Sequence, residues 1–122
     1  MKIAEIAFTL IPVTSLKVSR AFYEGVLGLV AANAWVDGDS GMVEYDIGAG
    51  TLAIGAGAEM FKPSPIGATV ALEVTDFDGA IAELKQANAT FASEKHETSV
   101  CFMATVEDPD ANKLIIHQRK AK

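Results

Sequence analysis

Cysteine occurs once, at Cys101, histidine twice and tryptophan once in the 122 residues of this chain. A lone thiol excludes an internal disulfide framework and any multi-cysteine zinc site. Lys and Arg form no cluster, and the net charge is −6 at pH 7. Nucleic acid is therefore a poor partner, because neutralising phosphates needs a basic face. If charge selects a ligand here, it selects a cation. Apolar runs break at a charge or glycine well short of the ~18 residues a membrane span requires, and Met1-Lys2 leads into a strand-like pattern without a signal-peptide cleavage site. The expected setting is cytoplasmic. Low-complexity tracts are missing too, and the glycine-rich run GAGTLAIGAG lacks the Gly-Lys-Ser/Thr ending and following helix of a phosphate loop. It reads as a hairpin.

What is present is ordinary globular composition, half apolar and about a fifth charged. The segment from Ile3 to Val13 is β-like and ends at Pro12, and Thr14-Ser15 then offers a helix cap. Leu16, Ala21-Phe22, Val26 and Leu29 recur at roughly helical spacing, with Gly25 and Gly28 closing the segment. Three strand candidates follow, Val30–Val36, Met42–Ile47 and Thr51–Ile54, separated by the turns DGDSG and GAG. The stretch EMFKPSPIG reads as a linker. After it Thr69–Val74 predicts a strand, Asp76 caps a helix FDGAIAELKQAN, and Thr90–Glu94, Ser99–Val106 and Lys113–Gln118 supply three more strands. The second half thus repeats the βαβββ plan of the first. Val13-Thr14-Ser15-Leu16 falls on Val74-Thr75-Asp76-Phe77 at a fixed offset that is half the chain length. The expected organisation is a first module over 1–57, a linker over 58–66 and a second module over 67–122.

The segments SLKVSRAFYEGVLGL (Ser15–Leu29), ALEVTDFDGAIAELK (Ala71–Lys85) and DPDANKLIIHQ (Asp108–Gln118) resemble the vicinal oxygen chelate superfamily. That group includes glyoxalase I, extradiol dioxygenases and the fosfomycin- and bleomycin-resistance proteins. The resemblance spans nearly the whole chain. It implies an α+β fold of two tandem βαβββ modules, forming a cup-shaped mixed sheet with helices outside, and chains that commonly pair as homodimers. In metal-dependent members the ligands come from the first and last strands of each module. The corresponding positions here are Phe8, Thr69, Ile115 and, as the mate of Ile115, Ile54, or Ala53 if the register slips by one. Divalent metals need several converging oxygen, nitrogen or sulfur donors, which these side chains do not supply. An apolar lining without metal or cofactor is expected in place of a metal centre.

The Asp108-Pro109-Asp110-Ala111-Asn112 turn carries the fold: short polar side chains bond the turn backbone and Pro109 presets φ. Ala111 stands where the family commonly has glycine, so a left-handed backbone is either shifted to a neighbour or accepted at a cost. Because strand side chains alternate, a hairpin pairing Glu107 with Lys113 places Thr105 opposite Ile115 and Met103 opposite His117, with Cys101 further along the same face. By the same alternation Glu73 shares a face with Thr69. His117 and Glu73 are then the lining groups able to act as acid, base or ligand. Against this stands the plain alternative that both are solvated at a rim. Cys101 reads more simply as a small buried apolar residue than as a nucleophile, since His96 falls in a connecting EKHET segment. Trp35, Tyr45, Phe61 and Phe102 are candidates for stacking on a ligand, Trp35 foremost because it borders the VDGDS turn. Glu44 and Asp46 share a strand face with Met42 and would lend it negative potential.

The function expected from these residues is metal-free binding of an apolar or aromatic, partly cationic small molecule. Phe8, Trp35, Ile54, Thr69, Glu73, Cys101, Met103, Ile115 and His117 are the candidate lining residues. One alternative is a glyoxalase- or dioxygenase-like enzyme with an atypical site at His117 and Glu73. Another is a dimeric interaction module without a ligand.

Overall fold

A computed structural model describes residues 2, 4–59, 61–64, 67 and 69–121. The chain divides into two compact units, Met1–Ser64 and Pro65–Lys122. In the first, strand β1 (Thr9–Pro12) leads into helix α1 (Leu16–Arg20), followed by β2 (Ala31–Asp37), β3 (Ser40–Ile47) and β4 (Gly50–Ala56). In the second, β5 (Val70–Glu73) leads into α2 (Phe77–Gln86), followed by β6 (Thr90–Glu97), β7 (Cys101–Glu107) and β8 (Lys113–Arg119). Each unit is one four-stranded mixed sheet, ordered β1-β4-β3-β2 and β5-β8-β7-β6. The α+β fold with two βαβββ modules is therefore present as the sequence implies. No helix among the described residues is long and apolar enough to cross a membrane.

Several boundaries differ from the sequence reading, each for a local reason. Ile3 lies outside the described residues, and the strand expected from Ile3 to Val13 shrinks to Thr9–Pro12. Its parallel partner explains this. Thr9 pairs with Leu52 and β4 begins at Gly50, so Ala4, Glu5 and Ile6 lie past the end of β4. The EKHET segment is not a loop: β6 continues to Glu97 and places His96 opposite Met103. After α1 the backbone widens into a π-helical stretch, Ala21–Val26, where the N–H of Leu27 donates to the Phe22 carbonyl at 3.0 Å.

Caps hold the helix entries. Ser15 Oγ accepts from the Val18 N–H at 3.2 Å, and Asp39 reaches across from the β2–β3 turn to accept the Lys17 N–H at 2.7 Å. That bond, with one from Ser15, holds the Asp39 carboxyl below its ordinary range. Asp76 caps α2 by accepting the Gly79 N–H at 3.1 Å.

One face of each sheet is packed against its helix. In the first unit this face carries Ile11, Val43, Tyr45, Leu52 and Ile54, all buried beneath Leu16 and Tyr23. Tyr45 stacks on Tyr23 at 6.2 Å and donates its hydroxyl to Glu24 Oε2 at 2.9 Å, and Glu24 also accepts from Arg20. Burial, followed by this bond to Glu24, pushes the Tyr45 phenol well above its ordinary range. In the second unit Phe77 stacks on Phe102 at 5.8 Å over a core of Leu84, Ala104, Val106, Leu114 and Ile116. Tyr45 is thus a helix-side core residue, which corrects its candidacy for ligand stacking, while Phe102 lies half-buried on the helix side of its sheet, away from the face that carries His117.

The 108–112 turn is built around one buried carboxylate. Asp108 accepts from the N–H groups of Asp110 and Asn112 at 2.9 and 2.8 Å and from Asn112 Nδ2 at 2.8 Å. Ala111 accepts the left-handed backbone itself, at φ 64°.

Candidate functional site

Opposite the helix, each sheet presents a second face, and the strand registers decide what it shows. In the first unit Trp35, Met42 and Gly55 lie side by side across β2, β3 and β4. Two glycines allow close approaches here, one to the Trp35 backbone and one to the Phe61 ring. Gly41 has φ 129°, and a Cβ there would fall 2.0 Å from the Trp35 carbonyl oxygen. Gly55 leaves space for the Phe61 ring, which would lie 3.0 Å from any Cβ at that position. Trp35 and Phe61 thereby flank an open groove of about 510 Å³ at the hairpin end of the sheet. Trp35 is 55 % exposed. The next row on the same face pairs Asn33 with Glu44 and Glu44 with Ala53, and Asn33 Nδ2 donates to Glu44 Oε1 at 3.3 Å. One strand step, roughly 7 Å for two residues, thus separates the aromatic row from a carboxylate.

In the second unit the helix-free face carries Ala71 and Glu73 from β5, Ile115, His117 and Arg119 from β8, and Cys101, Met103 and Thr105 from β7. The β7–β8 pairing is the one read from the turn: Thr105 opposite Ile115, Met103 opposite His117. His117 Nδ1 lies 2.6 Å from Glu73 Oε1, and Glu73 Oε2 accepts the Arg119 N–H at 2.8 Å. These two bonds, the backbone one first, hold the Glu73 carboxyl below its ordinary range. Glu73 is therefore ionised at neutral pH and accepts from His117, which fixes the ring's orientation. Cys101 is buried with its sulfur 3.2 Å from Thr98 Oγ1.

Of the residues expected to line a site, Glu73, His117, Met103, Cys101 and Ile115 do share one face, and Glu73 and His117 touch. Phe8 precedes β1 and is 45 % exposed; Thr69 precedes β5 and is also exposed. Ile54 is corrected. It pairs with Val43 and Ile11 on the helix side and is fully buried, so Ala53 is the residue facing the other way. The sequence reading did not pick out Arg119, although two-residue alternation from His117 points to it; of its two options for the mate of Ile115, the register selects Ala53.

The fit of a divalent metal can be tested on these side chains. Phe8 and Ala53 in the first unit, Thr69 and Ile115 in the second, offer one hydroxyl and no imidazole or carboxylate. Among the described residues no group of three or more His, Cys, Asp or Glu converges as a metal site. The donor set does not fit the ion that the family's enzymes use.

A family model described as the Glyoxalase/Bleomycin resistance protein/Dioxygenase superfamily matches residues 3–116. No curated protein sequence matches. Among solved structures, the antibiotic-binding protein TnmS3 from Streptomyces sp. CB03234 superposes with a TM-score of 0.80 at 18 % identity, covering 98 % of this chain and 99 % of its own. A superfamily member from Sphaerobacter thermophilus DSM 20745 gives 0.77 at 21 % identity, with 95 % and 98 % covered. An integron cassette protein from the mobile metagenome of V. cholerae gives 0.70 at 20 % identity, with 97 % of both chains covered.

Proposed function

Because the chain belongs to the glyoxalase/bleomycin-resistance/dioxygenase superfamily, we propose that it is one of its small-molecule binding proteins, working without a metal on an apolar or aromatic, partly cationic ligand. The observation that carries this reading is the helix-free face of the first unit. There the Trp35–Met42–Gly55 row, topped by Phe61, stands one step from Glu44. An aromatic wall contributes area and a cation–π contact, and a nearby carboxylate orients a positive group. The poor metal donors at Phe8, Ala53, Thr69 and Ile115 support the metal-free part. The description of TnmS3 as antibiotic-binding supports the ligand class.

Trp35 is the only tryptophan, so its fluorescence reports the site directly. Titration with the aromatic cation ethidium is expected to quench it saturably. With a cation–π and stacking contribution of about 1–2 kcal/mol, Trp35→Ala weakens ethidium binding, read by dye fluorescence, roughly ten-fold. Glu44→Gln weakens it several-fold, and only at low salt. Unsaturable quenching, or equal affinity in all three proteins, would remove the proposal.

The proposal includes a homodimer. Strand β2 is an unpaired sheet edge with Val30, Trp35 and Val36 exposed on or beside it, and such edges call for covering. Light scattering at micromolar concentration is expected to give twice the chain mass; a monomer would strike dimerisation from the reading and leave ligand binding to be judged by ethidium.

A further inference from the structure

The second unit carries a polar constellation that an apolar binding site does not need. His117, Arg119, Cys101 and Val100 border a cavity of about 310 Å³ on its helix-free face. Glu73 is fully committed there, one oxygen to His117 Nδ1 and the other to the Arg119 backbone. With Glu73 ionised, Nδ1 carries the proton of that bond, so Nε2 is the ring nitrogen left to meet a ligand, as a lone-pair acceptor whenever the ring holds that one proton. Among the described residues none hydrogen-bonds to Nε2. Arg119 supplies a permanent positive charge on the same face, felt by Glu73, and forms no direct side-chain ion pair among the described residues. Lys120 also borders the cavity, but its ammonium is engaged by Glu97 and lies over the Phe102 ring on the helix side.

From this geometry we infer that the second unit holds an acidic hydroxyl of a small-molecule ligand, a phenol or enol, as its oxyanion. The inference rests on the small-molecule-binding reading and adds the chemistry of one recognised group. The ligand's O–H donates to His117 Nε2; the proton passes to that nitrogen, and the oxygen keeps the electron pair. The resulting oxyanion pairs with the imidazolium and the Arg119 guanidinium, while Glu73 across the ring stabilises the imidazolium. The charged and titratable groups around His117 are Glu73 from β5, Arg119 on its own strand, Cys101 from β7 and, beyond Met103, His96 from β6. Within this set Arg119 favours a negative ligand atom.

The probe is 4-nitrophenol, whose phenolate absorbs in the visible, with 4-nitroanisole as the analogue lacking the proton. At a fixed pH below the phenol's own midpoint, the wild-type protein is expected to raise the phenolate-to-phenol ratio of bound probe about ten-fold over free probe, which corresponds to one pH unit. His117→Gln, which keeps a polar side chain but cannot take the proton, abolishes the rise. Arg119→Met, at an exposed position, reduces it several-fold with the fold intact. A bound probe that ionises like the free one, a rise that survives in His117→Gln, or no binding of the phenol would each overturn the inference. If nitroanisole still binds, or ethidium still quenches Trp35, the broader binding reading stands while this one falls; if neither happens, both fall.

Discussion

Ala111 shows at the residue scale how a strained position is tolerated. Its φ of 64° puts a Cβ in the left-handed region, which costs a non-glycine residue about 1 kcal/mol. Bonds to Asp108 and Lys113 hold it there: the Ala111 N–H donates to the Asp108 carbonyl at 2.9 Å, and Lys113 Nζ donates to the Ala111 carbonyl at 3.0 Å. Ala111→Gly relieves the strain but frees the unfolded chain at a cost of about 0.4–1 kcal/mol, so a small net gain of at most about 0.6 kcal/mol is expected, read as a slightly higher midpoint in urea. A lower midpoint would mean that the methyl group packs usefully. The sequence marked this position correctly but left two outcomes open, because whether a neighbour absorbs the positive φ depends on the Asp108 bonds. Ile54 was misread for a different reason. Glu44 lies 61 residues before Thr105, whereas Ala53 lies 62 before Ile115, because the second hairpin spans one residue more between paired positions. A fixed offset carried across that turn lands on the wrong face.

At the scale of elements, local signals were the legible ones. Ser15 and Asp76 stand at their caps, both helices begin where expected, and the β7–β8 register follows from its turn. What reaches across the sequence was not legible: Asp39, 22 residues from Lys17, supplies a second acceptor to the first turn of α1. Phe61, inside a stretch read as linker, settles over Gly55 for the same kind of reason. Ser15 also donates to Asp39, so the two acceptors at this helix start are bonded to one another. Ser15→Ala is expected to cost about 0.5–1 kcal/mol, at the low end for a cap, because Asp39 still holds the Lys17 N–H. The double substitution Ser15→Ala with Asp39→Ala should lower the melting temperature by less than the two single changes together, because either one alone already breaks the bond between them. Strict additivity would show that this bond contributes nothing to stability.

For the whole molecule, charge sets the response to acid. The carboxyls of Glu24, Asp39, Glu73 and Glu97 are all held below their ordinary range, mainly by bonds to Arg20, the Lys17 N–H, the Arg119 N–H and Lys120 respectively. A carboxyl depressed in the folded state favours folding above its unfolded pKa, and that contribution is lost as pH falls through the folded value. Melting temperature should therefore be level from about pH 6 to 8 and fall progressively below about pH 4.5, the ordinary range of these groups. Scanning calorimetry across that window checks the sign, and a rise on acidification, as relief of the excess negative charge alone would give, contradicts it. The two-unit plan was readable because each half repeats the order of its elements. The chemistry of the two helix-free faces was less so, since it depends on pairings such as Glu73 with His117, 44 residues apart.

The one-residue difference between the two hairpins has a consequence for how such a chain changes over generations. Substitution alters a face one side chain at a time, but adding or deleting a residue in a turn re-deals every position on the strand that follows. Where the turn is self-supporting, as the Asp108 cluster makes the second one, such a change can be absorbed without unravelling the sheet. Duplicated halves with nearly the same strand plan can then drift towards unlike chemistries, one aromatic and acidic, the other built around an imidazole and a guanidinium. The record of that divergence is then found in turn lengths as much as in the lining residues themselves.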